Sequence, residues 1–122
     1  MSKKFLSRAL LLVALMPGWP SAPVQAAQGK ALFEQECDAC HEIANYTGTN
    51  FAAKWGGGTL ADVYQDFALA MPPANAGGLT PTTYASIVAY FASASGYPTG
   101  NTTLPGDATQ LRTIAIGAAP AP

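Results

Sequence analysis

Cys37-Asp38-Ala39-Cys40-His41 is the stretch on which the reading of this chain turns. It holds both cysteines of the chain and its one histidine. Two thiols this close cannot staple a fold as a disulfide framework does, so they mark a local chemical site. A thioredoxin-type redox pair also uses C-x-x-C, but in a strand–helix setting. Here a helical stretch precedes the pair and no strand does. A structural zinc ion needs four ligands, and a Cys/His set drawn from this chain is one short.

The pattern C-x-x-C-H is that of covalent haem c attachment. Two thiols on one helical turn reach the two vinyl groups on one porphyrin edge and form thioethers. The next residue, His41, then presents its imidazole to the iron. The second axial ligand follows by elimination. With no other histidine, the usual alternative is a methionine sulfur. Of the three methionines, Met1 and Met16 lie in an N-terminal segment expected to be removed, which leaves Met71. It stands directly before Pro72-Pro73, which would stiffen a turn and aim the thioether. Most methionines are adaptable core filler; what favours Met71 as a ligand is that no other remains. A soft thioether favours Fe(II) and raises the reduction potential. With His41 and Met71 both on the iron, no position is open to oxygen or peroxide. The expected role is one-electron transfer without bond-making chemistry, so no enzymatic activity of its own.

Three segments around this motif read as helices, which makes the expected fold all-α. The first runs from about Ala27 to Ala39, with Leu32, Phe33 and Glu36 spaced for one face. The second starts at Thr59, a good N-cap, with Asp62 three residues on. Leu60, Val63, Tyr64 and Phe67 follow the i, i+3, i+4, i+7 pattern, and Pro72-Pro73 ends the helix. The third has Thr80 as N-cap and Pro81 at N1. Tyr84, Ile87, Val88 and Phe91 form its stripe, and Gly96 and Pro98 stop it. His41 to Gly58 and Ala74 to Leu79 read as loops. Beyond Tyr97 the chain is rich in Gly, Pro and Thr, with a short helical turn expected near Asp107 to Gln110. Leu111, Ile114 and Ile116 are apolar enough to pack on the body or on a partner.

The 122 residues suffice for one domain. Lys3, Lys4 and Arg8 precede a short apolar run, Ala9 to Met16, and Val24-Gln25-Ala26 fits a small-residue cleavage site. That run is well short of the ~20 residues a spanning helix needs. The expected organisation is therefore a signal peptide over 1–26, a haem domain over 27–97 and an extension over 98–122, in an exported, periplasmic protein with no membrane anchor after cleavage. Three of the six basic residues lie in the leader, whereas all seven acidic residues lie beyond it. The remaining domain is mildly acidic, which speaks against a nucleic-acid partner. A domain this small is near the lower limit for a self-sufficient core, and a buried apolar cofactor relieves that shortage.

Taken together, these features resemble a class I cytochrome c. Gly29 and Phe33 resemble the glycine and aromatic of that family's N-terminal helix. The resemblance implies that they cross the C-terminal helix near Ile87 and Tyr90, with Gly29 permitting close approach. It implies the cytochrome c fold, three main helices around one covalently bound haem, with an irregular C-terminal tail. One departure stands out. The family usually has a proline soon after the haem histidine, whose carbonyl accepts the imidazole N–H, and Glu42 to Phe51 contains none. Another carbonyl, around Thr47 to Thr49, is expected to take that role.

Lys54-Trp55-Gly56-Gly57, Thr59 to Asp62, Met71-Pro72-Pro73-Ala74-Asn75 and Ser95-Gly96-Tyr97-Pro98 are similar to cytochrome subunits and domains associated with quinoprotein (pyrroloquinoline quinone) dehydrogenases. That similarity implies redox protein partners, with such a dehydrogenase as donor and a terminal oxidase or another cytochrome as acceptor. Trp55 and Tyr46 become candidates to line the haem or to hydrogen-bond a propionate. Two alternatives remain open: an obligate electron-transfer subunit of a dehydrogenase complex, and a haem enzyme or gas sensor with an open iron site.

Overall fold

The computed structural model describes residues 22–98 and 103–117. Among them the chain forms α1 (Ala22–Glu36), a 3-10 turn (Ile43–Asn45), α2 (Thr49–Trp55), α3 (Leu60–Ala70), α4 (Pro81–Ala94) and a single turn, α5 (Ala108–Leu111). The only strand-like pairing among the described residues is an isolated antiparallel bridge between Thr59 and Ala115. The fold is all-α, as expected. The basic and apolar N-terminal segment expected to be a signal peptide lies outside the described residues.

The crossing of α1 on α4 organises the molecule. α1 has little apolar periodicity; the face it buries runs through Gln25, Ala26, Gly29 and Phe33. Small residues there let two backbones approach. A Cβ on Gly29 would run into the Ser86 carbonyl and lie 2.9 Å from Tyr90 Cβ. One turn on, Phe33 is buried with its ring 5.9 Å from Tyr90 and 5.6 Å from Phe91. The close approach expected at Gly29 is present, and α4 supplies the other half of it.

The capping signals act as read. Thr59 N–H donates to Asp62 Oδ2 at 2.7 Å at the start of α3. Thr83 N–H donates to Thr80 Oγ1 at 3.2 Å at the start of α4, where Pro81 occupies the first turn. The α4 stripe of Tyr84, Ile87, Val88 and Phe91 is buried throughout, and Gly96 closes the helix with φ +88°.

Two boundaries differ from expectation. α1 begins five residues earlier than Ala27 and ends at Glu36 instead of Ala39. Its early turn is anchored by a polar side chain that apolar periodicity does not register. Gln25 is buried, donates to the Leu104 carbonyl at 2.9 Å and accepts from the Leu104 N–H at 2.8 Å. The expected loop from His41 to Gly58 contains α2. That helix starts after Gly48, which has φ +63°, and buries Phe51 and Trp55 one turn apart. Seven residues between glycines are too few for a periodic signal.

Residues of the C-terminal segment lie on the body. Leu60 N–H donates to Ile114 O, Gly57 N–H to Ile116 O and Ile116 N–H to Gly58 O, at 2.8–3.0 Å. Leu111 and Ile116 are buried in the core, while Ile114 is exposed. This strap fixes the start of α3, and thereby where its far end delivers Met71.

Candidate cofactor site

The Cys37–His41 stretch is one further turn beyond α1. Cys37 N–H and Asp38 N–H both donate to Phe33 O, at 2.8 and 2.9 Å, as the helix ends. Cys40 N–H and His41 N–H then return to Cys37 O at 3.1 and 3.0 Å. The motif's backbone is therefore closed on itself, and Cys37, Cys40 and His41 all line one cavity. Both thiols are free. Burial, and after it the neighbouring Glu36 carboxylate, pushes the Cys37 thiol above its ordinary value.

That cavity has a volume of about 390 Å³, within the range of pockets that hold organic cofactors. Phe33, Phe67, Ile87, Phe91 and Leu79 supply apolar wall, and Glu36, Lys54 and Asp66 the charged lining. Phe67 meets Phe91 edge-on at 4.8 Å and Trp55 at 5.9 Å, so this wall is an interlocked aromatic cluster.

Met71 lines the same cavity from a different element. It is the residue at which α3 stops: its N–H still reaches Phe67 O at 2.8 Å, but its own backbone is extended. Pro72-Pro73 cannot continue the helix. The following loop is closed by a residue read only as part of the α4 stripe. Tyr84 donates its hydroxyl to the Met71 carbonyl at 2.7 Å and accepts from the Leu79 N–H at 3.3 Å. One phenol thus holds both ends of the 71–79 loop against α4.

Trp55 and Tyr46 also line the cavity. Trp55 donates its indole N–H to Asp66 Oδ2 at 2.7 Å, and Lys54 lies over its ring at 5.3 Å. Its N–H is therefore engaged within the chain. Tyr46 meets His41: its hydroxyl lies 2.9 Å from Nδ1. This corrects the expectation that a carbonyl around Thr47 to Thr49 holds the imidazole. The Thr47 hydroxyl turns back to Ile43 O at 3.1 Å, and Gly48 caps α2, its carbonyl accepting from Ala52 N–H at 3.5 Å. The missing proline was the signal that another acceptor was needed; the sequence offered nothing to say that it would be a phenol.

Six residues singled out from sequence, Cys37, Cys40, His41, Tyr46, Trp55 and Met71, therefore converge on one pocket. Residues 24–91, which include all six, match the family model described as cytochrome c oxidase, cbb3-type, subunit III. The chain belongs to this cytochrome c family. No curated protein and no solved structure gives a significant match. For the cytochrome, membership implies covalently bound haem c and redox protein partners. The residues present fit that group: two thiols and an imidazole on one closed turn, a thioether on another element, and apolar wall between. Among the described residues no helix is long and apolar enough to cross a membrane.

Proposed function

We propose that the chain is an exported, periplasmic monohaem cytochrome that carries single electrons. Cys37 and Cys40 would hold the porphyrin through thioethers, and His41 and Met71 would ligate the iron. When bound, the haem supplies a one-electron Fe(III)/Fe(II) couple. The observation that carries this reading is the convergence of Cys37, Cys40, His41 and Met71 on a single apolar-walled cavity.

Each residue has a task in that reading. The thiols prevent loss of the cofactor to a dilute compartment. Nδ1 of His41 is engaged by Tyr46, which leaves Nε2 for the metal. Tyr84 holds the Met71 backbone, so the thioether is presented without a search through loop conformations. The aromatic cluster keeps water from the cofactor and the local dielectric low, which disfavours added charge. With both axial positions taken by protein, the site relays electrons and performs no other chemistry.

A quinoprotein dehydrogenase as donor, and a terminal oxidase or another cytochrome as acceptor, remain part of the proposal, supported by sequence similarity alone. A second reading, an electron-transfer subunit held in a larger complex, is favoured by the family's description as an oxidase subunit. Co-purification of the untagged protein with a large partner supports that second reading, and a lone small monomer the first. Export with cleavage after Ala26 is checked by N-terminal sequencing of the secreted protein; such cleavage would also remove Gln25 and its two hydrogen bonds to Leu104.

The test of the main reading is optical. Purified protein is expected to give a low-spin c-type spectrum in both redox states, with the reduced form unchanged by carbon monoxide. Prompt CO binding by the reduced protein would show an open iron site and overturn the proposal.

A further inference from the structure

We propose that Tyr46 is the outer partner of the axial histidine: its phenol oxygen accepts the His41 Nδ1–H, does the work that a backbone carbonyl would do, and sets both the rotation of the imidazole and the reduction potential. This rests on the reading of His41 as an iron ligand.

The geometry is local and over-determined. Tyr46 Oη lies 2.9 Å from Nδ1, a good hydrogen-bond length. The two rings meet edge to face, with centroids 5.4 Å apart and planes at 82°. Only four residues lie between them, and that stretch is shaped to bring them together. Asn45 N–H donates to Glu42 O at 3.1 Å and Tyr46 N–H to Ile43 O at 3.0 Å. This tight turn carries Tyr46 back toward the residue that begins it. The Tyr46 ring also rests near Phe91 of α4, with centroids 6.2 Å apart. Tyr46 is thereby fixed from two sides, by its own turn and by the helix that α1 crosses. Among the described residues, the Tyr46 hydroxyl is the hydrogen-bond partner of the His41 ring.

The chemistry follows from which nitrogen is engaged. A histidine that gives the lone pair of Nε2 to a metal carries its proton on Nδ1. The group facing Nδ1 must then accept, and a phenol oxygen accepts. Such an acceptor fixes the ring and raises the basicity of the ligand. A more basic imidazole stabilises Fe(III) relative to Fe(II). Removing the acceptor therefore moves the potential upward.

The test is a redox titration of holo wild type against Tyr46→Phe, which keeps the ring beside Phe91 and deletes only the hydroxyl. Tyr97→Phe, which removes a hydroxyl bonded to Gly117 O, serves as the control. The expected result is a more positive midpoint potential in Tyr46→Phe alone, with the low-spin spectrum retained. An unchanged or more negative potential with that spectrum intact overturns the proposal and leaves His41 as a ligand untouched. Retention of the low-spin spectrum in His41→Ala instead overturns the underlying ligand reading. A second measurement needs no variant. In the paramagnetic proton NMR spectrum of the oxidised wild type, the axial-histidine Nδ1–H is expected to resist exchange and to show a nuclear Overhauser effect to the Tyr46 ring. Fast exchange, or a contact to some other residue, overturns the proposal.

Discussion

His41 rides on a turn whose backbone bonds return to Cys37, two residues of which would be covalently tied to the cofactor. Met71 stands where α3 stops, ahead of a loop that α4 holds through the Tyr84 hydroxyl. The first side of the pocket is built from contiguous sequence, the second from contacts between residues far apart in the chain. The difference predicts an order of failure. Under mild destabilisation the Met71 side should open first, while the Cys37–His41 side remains intact.

The largest effect belongs to the covalent side. The double variant Cys37→Ala, Cys40→Ala should lose covalent haem altogether, so that acidified organic solvent extracts all pigment from it and none from wild type. Retention of unextractable haem in the double variant would contradict the assignment of the thioethers.

Gly29→Ala attacks the crossing that carries the Cys37–His41 turn. The new methyl group meets the Ser86 carbonyl, which is backbone and cannot rotate away, so the cost should reach the upper end of overpacking, about 3 kcal/mol. Thermal and denaturant melts of the holo protein report it. A loss under about 0.5 kcal/mol, the scale of neutral surface changes, would mean that α1 and α4 do not approach as described.

Tyr84→Phe breaks the Met71 side alone. It leaves the Met71 carbonyl and the Leu79 N–H without their shared partner, which costs about 1 kcal/mol. The thioether–Fe(III) band should disappear at lower denaturant than in wild type and ahead of the global melt, while the haem stays covalently attached. Coincident loss of band and fold in both proteins would erase the distinction between the two sides.

The smallest effect lies on neither side. Asp107 accepts from Thr109 N–H, from the Gln110 side-chain amide and from Gln110 N–H at the start of α5, and these bonds, the one from Thr109 foremost and then the Gln110 side chain, hold its carboxyl below the ordinary value. A lowered pKa in the folded state contributes stability above the ordinary carboxylate pKa that is lost as pH falls through the lowered value. Asp107→Asn keeps an oxygen for the backbone cap but removes the charge and the acceptor for the Gln110 side chain. Its melting temperature should fall slightly short of wild type at neutral pH, and the gap should close in acid.

The same contrast explains what was legible in the sequence. Contiguous signals transferred directly to structure: C-x-x-C-H closed as one turn, Thr59 with Asp62 capped α3, and Thr80-Pro81 started α4. Met71 was reached by counting ligands, and it lines the pocket with the others. Missed were side-chain contacts that depend on where a polar atom lands after folding. Tyr84 reads as apolar because its ring is in the α4 stripe, yet its hydroxyl holds the loop. Tyr46 lies in a stretch without periodicity, and its partner became visible only with the turn at Ile43. Gln25, read as part of a cleavage site, also bonds Leu104 through both atoms of its amide. α2 escaped because Phe51 and Trp55 are a single pair at helical spacing, and one pair makes no pattern. Local signals survive translation into structure because they need no other part of the chain; tertiary hydrogen bonds need the fold first.

The measurement that tests the central claim most directly is the visible spectrum of the oxidised protein, wild type beside Met71→Ala. A weak red thioether–Fe(III) band in wild type and its loss in Met71→Ala are predicted. A band that survives the substitution, or a wild type without one, would contradict an iron held between His41 and Met71.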